Sequence, residues 1–149
     1  MKFSIVVSTQ PTTFSALAYQ GKLLENIARI KALGFDGIEL AVRDPAQIDV
    51  ASLMSALKEH RLPVSAIGTG QAYVEERLSF VDPRDEIRDR AIERIKAQAQ
   101  LAELFDAIVI IGLVRGKRDS ELDSETAEQW LVSALRQCAS ANTGVRFAI

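Results

Sequence analysis

Cysteine, histidine and tryptophan each occur once among the 149 residues, and each scarcity removes a class of chemistry. A lone Cys138 forms no internal disulfide and no thiolate cluster, which fits a reducing cytoplasm. The lone His60 sits in Lys58-Glu59-His60-Arg61 at the end of a helical stretch and reads as a solvated helix terminus. Long apolar runs are missing too. The longest, 107–114, is interrupted only by Gly112 and is far too short to span a bilayer. Met1-Lys2 leads directly into a strand pattern instead of a signal peptide. No basic run exceeds the Arg115, Lys117 and Arg118 group, and the net charge is −2, so a phosphate-backbone footprint is absent and nucleic acid is disfavoured as a partner.

What remains is the composition of one soluble domain, 48% hydrophobic and 26% charged. Lys2-Phe3-Ser4-Ile5-Val6-Val7-Ser8 is a β-branched run that ends in small polar residues, as a buried strand does where it enters a loop. Leu23, Leu24, Ile27, Ile30 and Leu33 form a helical stripe closed by Gly34, whose missing Cβ suits a left-handed C′ position. The unit then repeats. Gly37-Ile38-Glu39-Leu40-Ala41 is a second strand, and Asp49 caps a helix carrying Val50, Leu53, Met54 and Leu57. Pro63 ends that helix and opens a third strand, Val64-Ser65-Ala66-Ile67-Gly68, with a long loop expected over 69–81. Asp82 and Pro83 supply an N-cap and first helical residue for a third helix with Ile87, Ala91, Ile95, Ala99 and Ala102 on its buried stripe. A fourth strand over 107–113 precedes a fourth helix capped by Ser124, with Trp130 and Cys138 on its core face, and a fifth strand starts at Val145.

Strands alternating with helices predict a parallel sheet with right-handed crossovers. An open doubly wound sheet or part of a closed barrel satisfies this spacing. The last strand stops in mid-run, and a barrel needs roughly 250 residues, so an incomplete (β/α)8 barrel is favoured.

Both architectures place ligands at the carboxyl ends of the strands. Glu39 lies between two apolar strand residues, where an ionised carboxylate is costly unless a donor or cation meets it; it is either a functional group or paired with a neighbouring strand's Lys or Arg. Arg43 and Arg115 follow strands and suit a carboxylate or phosphate. Gly68-Thr69-Gly70-Gln71 admits three readings: a phosphate cradle, which requires a helix to begin at once, a tight turn, or a clearing in which Gln71 and Tyr73 meet sugar hydroxyls. Except for Glu39 and Asp44, no two His, Cys, Asp or Glu residues fall at strand ends with ligand spacing, so no metal site is expected within the chain.

Gly34-Phe35-Asp36-Gly37-Ile38-Glu39-Leu40 resembles the second-strand motif of the xylose-isomerase-like sugar phosphate isomerase/epimerase superfamily. Ala41-Val42-Arg43-Asp44-Pro45, Ala66-Ile67-Gly68-Thr69-Gly70-Gln71-Ala72-Tyr73, Asp85-Glu86-Ile87-Arg88 and Val109-Ile110-Ile111-Gly112-Leu113-Val114-Arg115-Gly116 are similar to the 5-keto-L-gluconate epimerase family within it. The resemblance implies an α/β fold of (β/α)8 TIM-barrel type, here a half barrel of about four strand–helix units plus the start of strand five, forming one domain over residues 1–149. It also implies a divalent metal, Mn, Mg or Co, held by Glu, Asp, His and Glu of strands five to eight, with two glutamates moving protons. In the family the fifth strand runs on into Glu-Pro-Leu-Asn-Arg, whereas this sequence ends at Phe147-Ala148-Ile149. Catalytic residues and metal ligands are therefore expected beyond Ile149, and the chain alone is expected to be inactive. Gln71, Tyr73 and Arg115 carry over as polar contacts to a small sugar or sugar acid, with Glu39 at the barrel mouth and Arg43 a second candidate for a substrate carboxylate.

Two other readings compete. An endonuclease IV-like hydrolase would need histidine-rich strand ends and a basic face, and this sequence has neither. A non-catalytic half barrel would assemble with itself or a partner through its open edges.

Overall fold

The computed structural model describes every residue except 16, 118–121 and 142–143. Arg118, the last of the three clustered basic residues, lies outside the described residues. The elements run β1 (Ser4–Ser8), α1 (Leu23–Ala32), β2 (Gly37–Ala41), α2 (Val50–His60), β3 (Val64–Gly68), α3 (Gly70–Glu76), α4 (Asp85–Glu103), β4 (Ile108–Ile110), α5 (Ser124–Ala141) and β5 (Phe147–Ala148). Short 3-10 turns at Pro45–Gln47 and Leu113–Arg115 follow β2 and β4. All strand pairs are parallel and the spatial order is β1-β2-β3-β4-β5. Each strand thus lies beside its sequence neighbour, the order of a barrel wall rather than of a doubly wound sheet.

Alternation along the strands gives the sheet two unlike faces. Val7, Ile38, Leu40, Ile67 and Val109 are fully buried and share one core with Ile27 and Ile30 of α1, Leu53 of α2 and Ile95 of α4. The intervening residues Val6, Glu39, Ile108 and Ile110 remain partly exposed on the opposite face, the one that lines the lumen when such a sheet closes. Cys138 is fully buried, with its thiol pushed up to about 11 by burial, and Trp130 lies under the Arg88 guanidinium, 3.9 Å from its ring centroid.

Several local details differ from the sequence pattern. Gly34 has φ +86° after α1 and Asp49 caps α2 through Ser52 N–H at 3.0 Å, both as expected. The 69–81 stretch, expected as loop, contains α3, too short to display a helical stripe. Asp82 does not cap the next helix: its carboxylate accepts the Arg84 N–H at 3.0 Å and pairs with the Arg84 guanidinium, so Pro83 sits in a turn and α4 begins at Asp85. Before α5 it is Asp123, rather than Ser124, whose carboxylate accepts the Thr126 N–H, at 2.9 Å. β4 is shorter than 107–113 because the chain turns at Gly112 into the Leu113–Arg115 3-10 turn, and β5 begins two residues after Val145. Among the described residues no helix is long and apolar enough to cross a membrane.

Candidate functional site

Small and polar residues end β1, β2 and β3, and they stitch the strand ends together instead of pointing freely outward. Gln10, just past β1, carries a buried carboxamide whose Oε1 accepts the backbone N–H of Arg43 at 2.9 Å and of Asp44 at 3.0 Å. Its Nε2 donates to the Asp44 carbonyl at 2.6 Å. The Ser8 hydroxyl donates to the Gln10 carbonyl and accepts from Gln71 Nε2 at 2.6 Å. Thr9 and Thr69 repeat the theme, donating their hydroxyls to the carbonyls of Ala41 at 3.1 Å and Ile110 at 2.9 Å. Each loop is thereby bonded to the next strand's end, which satisfies polar groups that burial would otherwise penalise.

A charged layer lies outside this polar one. Glu76, at the end of α3, accepts hydrogen bonds from Nη1 and Nη2 of Arg94 from α4, at 2.8 and 3.1 Å. Arg94 also donates to the Arg43 carbonyl at 2.5 Å and lies 3.8 Å from the Asp44 carboxylate. Glu75 accepts the Thr12 hydroxyl and the Thr13 N–H, both at 2.7 Å, and these bonds hold its carboxyl below its ordinary pKa.

The five residues singled out from the sequence fall into three environments. Gln71 is 1% exposed and joined to Ser8, while its Oε1 has no partner among the described residues. Arg43 donates to Gln47 Oε1 at 3.0 Å and approaches Glu76 at 4.0 Å, so its guanidinium is already engaged. Both belong to the stitched rim; the partly buried Tyr73 shares α3 with Gln71 and packs against the core. Glu39 lies on the lumen face, and burial alone raises its carboxyl above the ordinary value. The alternative of a Glu paired with a neighbouring strand's Lys or Arg is not realised: no ion pair meets it among the described residues. Arg115 is exposed on the turn after β4 and lines a shallow depression with Val81, Ser124 and Leu131.

Gly68-Thr69-Gly70-Gln71 lacks the delay before a helix that counted against a phosphate cradle, because α3 starts at Gly70. One of its N–H groups is nevertheless taken, since Thr69 N–H donates to the Ile110 carbonyl at 3.4 Å, and a Cβ at Gly70 would lie 3.4 Å from the Phe14 ring and 3.9 Å from Leu113. Glu76 and Arg94 lie on helices, where a reading of the strand ends does not find them, whereas Gln10 follows β1 directly and falls at a strand end. The signals for the first two are the adjacent Glu75-Glu76 and the i, i+4 pair Arg90 and Arg94 on one helix face. Among the described residues no group of three or more His, Cys, Asp or Glu is arranged to hold a metal ion, so the divalent metal implied by the resemblance does not fit the donors described in this chain.

Residues 27–149 match the family described as xylose isomerase-like TIM barrel. No curated protein matched the sequence. Among solved structures, the chain superimposes on D-allulose 3-epimerase from Methylomonas sp. in complex with D-allulose, with a TM-score of 0.70 at 19% identity, covering 99% of this chain and 51% of that one. The 3-keto-D-glucoside 4-epimerase from E. coli gives a TM-score of 0.67 at 19% identity over 96% of this chain and 54% of that one. An AP endonuclease, family 2, from Brucella melitensis gives 0.70 at 18% identity over 99% and 54%. The chain therefore spans about half the length of these structures.

Proposed function

The chain belongs to the xylose isomerase-like TIM barrel family, and from that premise we propose that it forms the N-terminal half of a carbohydrate isomerase/epimerase. The finer reading is a metal-dependent epimerase of ketoses or keto-hexuronates, resembling 5-keto-L-gluconate epimerase, acting in the cytoplasm. In this reading the present half supplies the substrate-facing wall and is inactive alone, while Mn, Mg or Co is held by residues of strands five to eight. The observation that carries the proposal is the hydrogen-bonded rim at the carboxyl ends of β1 to β3, the end at which barrels of this type place their active sites.

Within that wall Glu39 holds a proton or accepts a hydroxyl on the lumen side, Tyr73 offers a phenol to a sugar hydroxyl, and Arg115 grips a carboxylate on the substrate. Arg43 and Gln71 are already bonded to the protein, and their part is to hold the rim against which the sugar lies. The nuclease reading is weaker because the only histidine, His60, ends α2 at the opposite side of the layers from the strand ends.

The test is epimerisation of a keto-hexuronate, followed by chromatography with Mn added, for this chain and for a version extended through strands five to eight of its parent gene. Turnover by the extended form alone supports the reading. Turnover by neither form, with the extended form folded, overturns it; turnover by the short chain overturns its inactivity and points to Glu39.

A further inference from the structure

We propose that α3 is a preformed wall of the site, clamped on its two sides by the adjacent carboxylates Glu75 and Glu76, and that Arg94 is the positioning residue that locks it to the loop after β2. What the wall faces rests on the epimerase reading above, whereas the clamp itself rests on geometry alone.

A seven-residue helix has too few internal hydrogen bonds to persist by itself, so α3 is ordered by what grips it. On one side Glu75 takes three donors from the loop after β1: the Thr12 hydroxyl, the Thr13 N–H and the Thr13 hydroxyl at 3.0 Å. That loop also lays Phe14 over Gly70 at the helix start. On the other side Glu76 takes the two-pronged Arg94 contact, with Arg90 at 3.6 Å and Arg43 at 4.0 Å around the same carboxylate. The side chains of Arg94 and Glu76 are only 15% and 24% exposed, so water does little to screen the pair. Arg94 carries the constraint onward, because the same Nη1 that meets Glu76 bonds the Arg43 carbonyl, and the N–H groups of residues 43 and 44 are already held by Gln10. One guanidinium thus joins the loop after β2 to the helix after β3 through a planar fork that a lysine does not reproduce, and Gln10 extends the link to the loop after β1.

The consequence is that Tyr73 is presented from a fixed helix whose Gln71 is held against Ser8. Glu75 and Glu76 constrain different neighbours, so they separate experimentally. Hydrogen exchange by mass spectrometry on the 149-residue chain reads each side. Glu76→Gln and Arg94→Lys are expected to speed exchange of residues 70–78 and 43–47 by at least about tenfold, with the α5 peptide unchanged. Glu75→Gln is expected to speed residues 12–20 and 70–78 and to leave 43–47 protected. In the extended protein, Arg94→Lys is expected to raise KM severalfold with little change in kcat, a split that a general loss of stability does not produce. Unchanged exchange in a folded Glu76→Gln variant, or uniformly faster exchange in α3 and α5 alike, overturns the clamp. Absence of turnover in the extended protein bears on the epimerase reading and leaves the exchange result standing.

Discussion

The carboxyl of Glu39 occupies the space that a side chain at Gly68 would need: a Cβ on Gly68 would lie 2.7 Å from Glu39 Oε1. The glycine at the end of β3 therefore seats a carboxylate that reaches across from β2 onto the lumen face.

Burial raises the pKa of that carboxyl, so its ionised form is the disfavoured one. A raised carboxyl pKa makes the chain less stable above the folded pKa and relieves that penalty as the pH falls through it. Glu39→Gln is expected to raise the thermal midpoint at pH 7, with the gap to the parent closing towards acid pH. Gly68→Ala displaces the flexible end of Glu39 and is expected to bring its titration back towards the ordinary value, read by carboxyl NMR.

Glu75 shows the opposite sign. Its three donors lower its pKa, so its contribution is complete above the ordinary value of 4.5 and is lost as the pH falls through the lower folded value. Acidification is therefore expected to free residues 12–20 before the core opens, and Glu75→Gln is expected to make that step independent of pH. Exchange rates of the 12–20 peptide between pH 3 and 6, corrected for intrinsic chemistry, decide this.

Phe80 is fully buried and its N–H donates to the Val114 carbonyl at 2.8 Å, which ties the segment after α3 to the turn after β4. Phe80→Ala removes a large core side chain and is expected to cost about 3–5 kcal/mol, measured as a lowered urea midpoint. A cost below about 1 kcal/mol would place this ring outside the cooperative core.

The sheet edges differ. Among the described residues β1 is covered on its outer edge only near its end, where the Ser8 N–H meets the Tyr19 carbonyl at 2.8 Å, and β5 pairs with β4 alone. Open parallel edges recruit further strands. The isolated 149-residue chain is expected to sediment as a dimer or larger species, and a clean monomer at micromolar concentration would contradict this.

Much of the architecture was legible before the structure. The strands ending in Ser8, Ala41 and Gly68, the helix closed by Gly34 and the Asp49 cap formed where local pattern put them, since each depends on residues within one or two turns, although Leu24 and Leu33 of the α1 stripe stay exposed. α3 was not legible, because seven residues show no helical stripe and its order comes from Thr12, Thr13 and Arg94, which are distant in sequence. Of the two expected caps, that of α5 shifts by one residue, from Ser124 to Asp123, and α4 has no side-chain cap because Asp82 meets the Arg84 N–H before the helix begins; backbone direction, not residue type alone, chooses the partner.

By itself the sequence determined a single parallel α/β layer of barrel type and the family to which it belongs, because hydrophobic period and strand-end motifs are local properties. Only the tertiary structure decided which polar residues at the strand ends face inward to each other and which remain open. It buried Gln71 against Ser8, engaged Arg43 through Gln47, exposed Arg115 and left Glu39 without an ion-pair partner among the described residues. The reason is that a hydrogen-bond partner is set by proximity in the fold: Gln71 meets Ser8 across 63 residues, and Arg94 meets the Arg43 carbonyl across 51.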